Sequence, residues 1–202
     1  EALEKKYDKP LNTLVDEEFY QSLGANRTSY LPLQKFPKSQ IVPTEKDDYY
    51  RNQLLHGYVH DMGAAMLGGV GGHAGLFSNA NDVAKIMQMY LQKGFYGGKR
   101  YLKSETVEKF NKRYYSNKKV RRGLGFDKPQ LNKRIKSTCG CVSDESFGHS
   151  GFTGTYTWAD PQSGIVYVFL SNRTYPNMSN RGLVRSNMRT KIQQVIQDAI
   201  IN

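Results

Sequence analysis

The sequence is poor in the features that mark several large protein classes. Two cysteines in 202 residues cannot support a disulfide-dense scaffold. No run reaches the ~18 apolar residues that a membrane-spanning helix requires, and the longest apolar run covers only residues 165–170. The chain opens on Glu1 without a signal-peptide pattern. We therefore expect a processed or excised piece of a longer protein.

The sequence also lacks a complete set of metal ligands. Cys139 and Cys141 are separated by one residue, and this spacing disfavours an intrachain disulfide because the bridge would be strained. Two cysteines leave a four-ligand zinc site incomplete, and His149, eight residues downstream, is weak support for one. His56 and His60 would share a helix face, but no third ligand accompanies them. We expect both imidazoles to be hydrogen-bonded structurally, and we expect no metal and no cofactor.

Acidic residues are scarce in one segment. Residues 99–136 contain fourteen Lys or Arg and three Asp or Glu, so this segment alone accounts for the net charge of +11. Such a segment attracts polyanions, including nucleic acid, anionic lipid and acidic cell-wall polymers. The alternative is a solvated basic face without a ligand. No helix-turn-helix, zinc-finger or RNA-binding signature accompanies the charge, so we expect no specific nucleic-acid binding.

The hydrophobic pattern predicts an α+β domain. Residues 1–115 read as mainly helices and loops, and residues 116–202 read as antiparallel strands with a terminal helix. We expect the last helix to cover the sheet, and the apolar second strand of the hairpin to lie in mid-sheet. Strand-like pattern begins near Val120. The predicted helices are 10–24, 79–93, 105–113 with Ser104 as its N-cap, and a segment after Asn180, and the predicted hairpin strands are 152–159 and 165–171.

Two short motifs resemble catalytic or phosphate-binding patterns only in part. The glycine-rich segment 68–75 lacks the Lys-Ser/Thr ending of a P-loop and has Ala74 where a dinucleotide fingerprint needs glycine. We therefore interpret it as a tight backbone crossing. Ser116 and Lys119 form Ser-x-x-K, a spacing at which an amine can accept a serine proton, and residues 115–117 read Tyr-x-Asn. Both patterns arise readily by chance in a lysine-rich segment, so we do not favour Ser116 as a nucleophile.

The most informative segment is residues 149–155, in which a histidine precedes small residues along a predicted strand. A glycine-lined strand lets a ligand approach the backbone closely, and N–H groups there can hold an oxyanion. The hydroxyls of Ser150 and Thr153 could bind a carboxylate. The alternative is that His149 is a surface histidine before a core strand.

These residues resemble a known family. The segment FGHSGFTGTYTWADPQSGIVYVFLSNRTYP resembles the third-motif strand and hairpin of the serine β-lactamase and penicillin-binding-protein superfamily, in its class C-like branch with His-x-Gly. The segments GYVHDMGAAMLGGVGGHAGLFSNANDVAKIMQMYL and PLNTLVDEEFYQSLG resemble the glycine-rich turn and helices of the same branch. More narrowly, the chain is similar to a β-lactamase-like module of Bacteroidetes that is often fused to family 3 glycoside hydrolases.

The resemblance implies a β-lactamase/DD-peptidase-like fold and acyl transfer on a serine. His149 would take the place of the third-motif lysine, and the backbone N–H of Phe152 would be one oxyanion-hole donor. Ser150, Gly151 and Thr153 would face a peptide or β-lactam-like substrate. Proteins of this kind act outside the bacterial cytoplasm, so we expect a periplasmic or secreted location.

The sequence departs from the family pattern in one respect. In the family, the Ser-x-x-Lys and Tyr-x-Asn motifs precede the helix that matches residues 10–24, whereas the Ser-x-x-Lys here begins at Ser116. We therefore expect residues 1–202 to be the C-terminal part of one domain, inactive alone and paired with its N-terminal segment or a second copy. The alternative is a binding module on the same scaffold that uses residues 99–136 to hold an acidic polymer or nucleic acid.

Overall fold

The computed structural model describes residues 1–118, 120–132 and 137–201. The chain divides into two compact units. Unit 1 comprises Glu1–Val83 and Ser171–Arg181, and unit 2 comprises Ala84–Leu170 and Gly182–Asn202.

Unit 1 is built from short helices and one small hairpin. The predicted helix over 10–24 is present, but it is irregular: α2 passes directly into a π turn over Asp16–Tyr20. Gly24, with φ of +64°, ends this segment in the left-handed conformation that glycine adopts without strain. The elements are α1 (Ala2–Tyr7), α2 (Leu11–Val15), β1 (Glu45–Asp47), β2 (Gln53–Leu55) and α3 (Met62–Met66), with 3-10 turns over Pro32–Gln34 and Lys38–Gln40.

A buried carboxylate ties residues 171–181 to the β1–β2 hairpin. The side chain of Glu45 is fully buried and accepts hydrogen bonds from the Met178 backbone N–H at 2.8 Å, from His60 Nε2 at 2.8 Å and from the Tyr49 hydroxyl at 3.0 Å. Burial, together with the hydrogen bond to the Glu45 carboxylate, raises the pKa of Tyr49 to about 12. A buried carboxylate is tolerated because each oxygen accepts a hydrogen bond.

Helix α4 (Ala80–Leu91) is the clearest agreement with the sequence pattern. The Asn79 side chain caps it by accepting from the Asp82 N–H at 2.8 Å. Gly94 follows with φ of +87°, and a Cβ there would lie 2.2 Å from the Leu102 carbonyl oxygen. Only glycine fits this close approach, so the predicted end of the helix is confirmed.

Unit 2 contains a three-stranded antiparallel sheet in the order β5-β6-β7. Strand β6 is central, and β7 is an edge strand within the described chain. Among the described strands, the apolar segment 165–171 therefore lies at the sheet edge and not in mid-sheet as predicted. The elements of unit 2 after α4 are β3 (Phe95–Tyr96), β4 (Lys99–Arg100), α5 (Ser104–Asn111), β5 (Phe147–Ser150), β6 (Tyr156–Asp160), β7 (Ile165–Phe169), α6 (Gly182–Ser186) and α7 (Met188–Ile201).

The core of unit 2 lies between the sheet and α7. Tyr156, Trp158 and Tyr167 are buried in one cluster, and Ile192 and Ile196 of α7 pack against it. The rings of Tyr156 and Trp158 stack with centroids 5.8 Å apart. The expectation that the terminal helix covers the sheet is confirmed, as is the α+β fold class.

Two strand predictions were wrong in extent. The strand-like pattern from Val120 forms no strand among the described residues before Phe147. Strand β6 begins at Tyr156 rather than at Phe152, because residues 151–155 turn back from β5 toward β6.

Candidate active site

The predicted site residues lie at the end of β5 and in the turn that follows it. His149 and Ser150 are the last residues of β5, and Gly151–Thr155 form the connection to β6. The Gly151 N–H donates to the Thr155 carbonyl at 2.9 Å, and the Gly154 N–H donates to the Gly151 carbonyl at 3.1 Å. These two bonds fold the five residues into a tight turn.

The end of β5 presents its side chains on two faces of the sheet. Ser150 pairs with Tyr156, and His149 pairs with Thr157. Directly opposed residues share a face and neighbours alternate, so Ser150 shares the face of Tyr156 while His149 lies on the other. Both side chains are exposed, and Phe152 in the turn is 60% exposed. The strand end and turn therefore present the side chains of His149, Ser150 and Phe152 to solvent.

Glycine is required where β5 passes β6. A Cβ on Gly148 would lie 2.1 Å from the Thr157 carbonyl oxygen, and a Cβ on Gly151 would lie 2.2 Å from Thr155 Oγ1. Gly154 is buried and has φ of +107°, which L side chains rarely adopt. The backbone path of the strand end and the turn thus depends on these three glycines.

An arginine of the terminal helix α7 makes hydrogen bonds to the backbone of the turn. The Nη1 atom of Arg189 donates to the carbonyl oxygens of Gly154 at 3.3 Å and Thr155 at 3.2 Å. Its guanidinium carbon lies 5.6 Å from the Tyr156 ring centroid, and its own carbonyl accepts from the Tyr167 hydroxyl at 3.1 Å. Charged donors make stronger hydrogen bonds than neutral ones, so α7 fixes the turn as well as covering the sheet.

Strand β5 is held on its other edge by an isolated bridge. The Asp127 N–H donates to the Gly148 carbonyl at 2.8 Å, and the Gly148 N–H donates to the Asp127 carbonyl at 3.1 Å. The buried Asp127 carboxylate is paired with Arg121 at 2.6 Å and with Arg122 at 2.7 Å. Two of the predicted basic-face residues therefore neutralise a buried structural acid.

A buried lysine lies next to this bridge. The Lys128 Nζ donates to the Glu145 carbonyl at 2.6 Å and to Asn111 Oδ1 at 3.3 Å, and the residue is 4% exposed. Burial, together with the nearby Arg113 charge, lowers the pKa of Lys128 to about 8. Burial therefore favours the neutral form of this amine.

Comparison with known proteins assigns the family. The beta-lactamase family model matches residues 1–188. The chain belongs to the beta-lactamase family. It is 36% identical over 196 residues to an Escherichia coli (strain K12) protein provisionally named a D-alanyl-D-alanine carboxypeptidase, and this match covers 86% of the chain and 44% of that relative.

Solved structures agree on the beta-lactamase-like fold. A penicillin-binding protein homologue from Caulobacter crescentus matches with a TM-score of 0.56 and 16% identity, covering 84% of this chain and 48% of that one. Simvastatin synthase from Aspergillus terreus matches with a TM-score of 0.63 and 16% identity, covering 94% of this chain and 50% of the synthase. The chain thus spans about half the length of the beta-lactamase-like proteins it matches. The narrower resemblance to a module fused to glycoside hydrolases stays a prediction.

The remaining sequence motifs of this beta-lactamase family member lie elsewhere. Ser116 is exposed in a 3-10 turn over Ser116–Lys118, and Lys119 lies outside the described residues. His56 Nε2 lies 2.5 Å from the Ile41 carbonyl oxygen and His60 pairs with Glu45, so the structural interpretation of both histidines is confirmed. Within the described ranges there is no cluster of three metal-ligating side chains.

The glycine-rich segment is a backbone crossing, as predicted. Gly75 has φ of +118°, and a Cβ there would lie 2.3 Å from the Gly69 carbonyl oxygen. The Tyr30 hydroxyl donates to the Gly71 carbonyl at 3.0 Å. Side chains are excluded here by neighbouring backbone, so the segment packs against itself and against Tyr30.

The prediction for the cysteines was wrong. Cys139 and Cys141 are joined by a disulfide, with Cα atoms 5.3 Å apart. That separation lies in the ordinary range for disulfides. Gly140 between them has φ of +79°, a left-handed conformation that bends the chain enough to bring the two sulfur atoms together.

Sequence reasoning missed the residues that support the turn. Arg189 is 34 residues from Thr155 along the chain, and Gln193 accepts hydrogen bonds from both the Tyr156 hydroxyl at 3.1 Å and the Cys139 N–H at 3.2 Å. A polar residue on the apolar face of the predicted terminal helix was the available signal, since Gln193 is 2% exposed. The roles of His149, Ser150 and Phe152 stay predictions.

Proposed function

We propose that the chain is the C-terminal part of a serine hydrolase that transfers acyl groups through a serine acyl-enzyme. The observation that carries this proposal is the β5–β6 turn, where a His-Ser-Gly strand end is followed by a glycine-shaped loop held by Arg189. Membership of the beta-lactamase family supports the reaction class. We further propose that the nucleophile is a serine outside residues 1–202.

In this mechanism the serine oxygen attacks the carbonyl carbon of the substrate, and the carbonyl oxygen becomes an oxyanion. The backbone N–H of Phe152 donates to that oxyanion, together with the N–H of the nucleophile itself. Collapse of the intermediate breaks the bond to the leaving amine, which receives the serine proton, and water later releases the acyl group. Donors fixed in place before the reaction stabilise the developing charge at little cost in reorganisation.

His149, Ser150 and Thr153 act on the substrate rather than on the nucleophile. His149 takes the position that a lysine holds in the related third motif, and it contacts the substrate carboxylate. Ser150 and Thr153 supply hydroxyl donors from the strand end and the turn, and Gly151 lets the substrate backbone lie against the strand. Because the chemistry resides in the site rather than in the fold, these residues set the substrate class.

We propose a peptide ending in a free carboxylate, or its β-lactam analogue, as the substrate. The name of the Escherichia coli relative supports this class. We also propose a periplasmic or secreted location. The Cys139–Cys141 disulfide supports it, since disulfides persist in oxidising compartments. Within the described residues, no helix combines the length and hydrophobicity needed to cross a membrane.

The proposal includes a partner for this chain. Strand β7 is an edge strand with apolar residues only half buried, and exposed strand edges favour pairing with another segment. We propose that the N-terminal segment of the same domain covers this region, with a second copy of the chain as the alternative occupant.

The test is acylation of the full gene product by benzylpenicillin and by a fluorophosphonate, followed by peptide mapping. We expect one adduct on a serine outside residues 1–202. Substitution of Phe152 by proline removes its N–H, and we expect slower acylation while binding of a non-reactive substrate analogue is retained. Acylation that is unchanged in this variant would contradict the role of the Phe152 N–H.

A further inference from the structure

The basic segment of this chain separates into two classes of cation. Three arginines of the described part of the segment face acids within unit 2: Arg121 and Arg122 pair with Asp127, and Arg113 lies 3.9 Å from Asp144. Lys128 is buried. The charges of these three arginines are therefore at least partly balanced by acids of unit 2, and Lys128 is buried away from solvent.

Three exposed lysines lie in the last turn of α5 and in the residues that follow it. Lys109, Lys112 and Lys118 are exposed, and among the residues that the structure describes none of their ammonium groups pairs with a carboxylate. The nearby acid Glu108 is already paired with Lys93 at 2.7 Å. The positive charge of these three lysines therefore faces solvent unneutralised.

Two exposed tyrosines lie among these lysines. Tyr114 is 41% exposed and Tyr115 is 53% exposed. The Lys112 Nζ lies 5.8 Å from the Tyr114 ring centroid, and the Lys118 Nζ lies 5.9 Å from that of Tyr115. The Tyr114 hydroxyl donates to the Lys109 carbonyl at 2.8 Å, which fixes the orientation of its ring. We call Lys109, Lys112, Tyr114, Tyr115 and Lys118 the lysine–tyrosine patch.

We propose that the lysine–tyrosine patch binds an anionic polysaccharide. Each lysine supplies a point charge for a carboxylate or phosphate group, and each tyrosine offers an apolar ring face beside that charge. A partner that carries anions and flat apolar faces together matches both kinds of side chain, and an acidic polysaccharide has both. This inference does not depend on the proposed acyl transfer.

The ring geometry favours sugars over stacked bases. The Tyr114 and Tyr115 centroids are 6.4 Å apart, and the ring planes are inclined by 50°. Successive bases of a single strand stack on parallel aromatic platforms, which these rings do not form. The patch also uses lysine throughout, whereas the planar guanidinium of arginine is the side chain that stacks on bases.

The test measures binding of the full gene product to polygalacturonate at about 0.02 M salt, where screening is weak. Neutral dextran and a single-stranded oligothymidylate serve as comparison ligands. The charge variant is Lys109→Gln/Lys112→Gln/Lys118→Gln. Its matched control is Lys5→Gln/Lys6→Gln/Lys38→Gln, which removes the same charge from exposed lysines of unit 1.

We expect the patch variant to bind polygalacturonate about tenfold more weakly than the wild type, and the control to lose much less. A second pair of variants tests the rings at constant charge. Tyr114→Ala/Tyr115→Ala should weaken binding about fivefold. The control Tyr7→Ala/Tyr58→Ala, which removes two equally exposed tyrosines from unit 1, should leave it unchanged.

Three results would overturn the proposal. The first is an equal loss of affinity in the patch variant and the control variant, which would show that binding depends only on the net charge of the protein. The second is tighter binding of the oligothymidylate than of polygalacturonate with the same dependence on the patch, which indicates a nucleic-acid surface. The third is no retention of polygalacturonate by the wild type. Far-UV circular dichroism of each variant separates loss of binding from loss of fold.

Discussion

The Nη1 atom of Arg189 lies 3.2 Å from the carbonyl oxygen of Thr155 and donates a hydrogen bond to it. A second bond from the same atom reaches the Gly154 carbonyl. The turn that carries Phe152 is therefore fixed by the terminal helix, not by the strand alone. Its rigidity is the property that an oxyanion donor requires.

Loss of Arg189 should loosen the turn. We expect Arg189→Met to lower kcat for acylation about tenfold with a smaller change in KM, and to destabilise unit 2 by about 1–3 kcal/mol because two charge-assisted hydrogen bonds are lost. Arg189→Lys should recover part of the rate. Lys191→Gln removes the same charge from an exposed site on α7 and should behave as wild type. Equal kinetics for all three variants would refute a positioning role.

Gly151 gives a test of the turn by steric substitution. An alanine Cβ would lie 2.2 Å from Thr155 Oγ1, and overpacking of this kind costs about 1–3 kcal/mol. We expect Gly151→Ala to lower the melting temperature and the acylation rate. The double variant Gly151→Ala/Thr155→Ala removes the clashing oxygen, and the next contact, to the Thr155 Cβ at 3.5 Å, is ordinary. Thermal unfolding should show recovery in the double variant relative to Gly151→Ala, and additive losses would contradict the geometry.

The elements that follow from local signals were predictable from sequence. Helix α4 has a capping Asn79 and a terminating Gly94, and the β6–β7 hairpin has its proline- and glycine-containing turn. These signals involve residues only a few positions apart, so they can be recognised in the sequence alone. The His149–Thr155 motif was found in the same way, through its small residues and the family resemblance.

The rest depended on contacts distant in sequence or on one unusual backbone angle. An apolar run is equally compatible with a central and an edge strand, so the pattern of β7 did not reveal its place in the sheet. The support from Arg189 joins residues 34 positions apart. The disulfide depended on the left-handed conformation of Gly140, which spacing alone does not specify.

The buried Lys128 predicts a pH-dependent stability. Its pKa is lowered from 10.5 to about 8 in the folded protein, so between pH 8 and 10.5 the unfolded chain holds a proton that the folded chain has released. The contribution of Lys128 to the free energy of unfolding therefore rises with pH across that window and is lowest below pH 8. We expect the free energy of unfolding of the wild type, relative to Lys128→Met, to increase by roughly 2–3 kcal/mol from pH 7.5 to 10.5.

Urea unfolding at several pH values measures this difference. The tyrosines with raised pKa titrate in both proteins, so their contribution cancels in the comparison. A difference between wild type and Lys128→Met that stays constant with pH would show that Lys128 is not perturbed by its burial.

The cysteines give a prediction that needs only mass spectrometry. We expect unreduced protein, denatured in iodoacetamide, to carry no carbamidomethyl group, and protein reduced beforehand to carry two, because Cys139 and Cys141 form one disulfide and no other cysteine is present. The variant Gly140→Val should form the bridge less completely, since valine resists a φ of +79°. Full alkylation without reduction would contradict the bridge.

The central claim is that this chain completes a serine acyl-transfer site whose nucleophile lies outside its 202 residues. The most direct test is the intact mass of the full gene product and of the 202-residue chain, each incubated with a fluorophosphonate and with benzylpenicillin. We predict one adduct on the full product, mapped to a serine outside residues 1–202, and no adduct on the shorter chain. An adduct on Ser116, or none on the full product, would contradict the account.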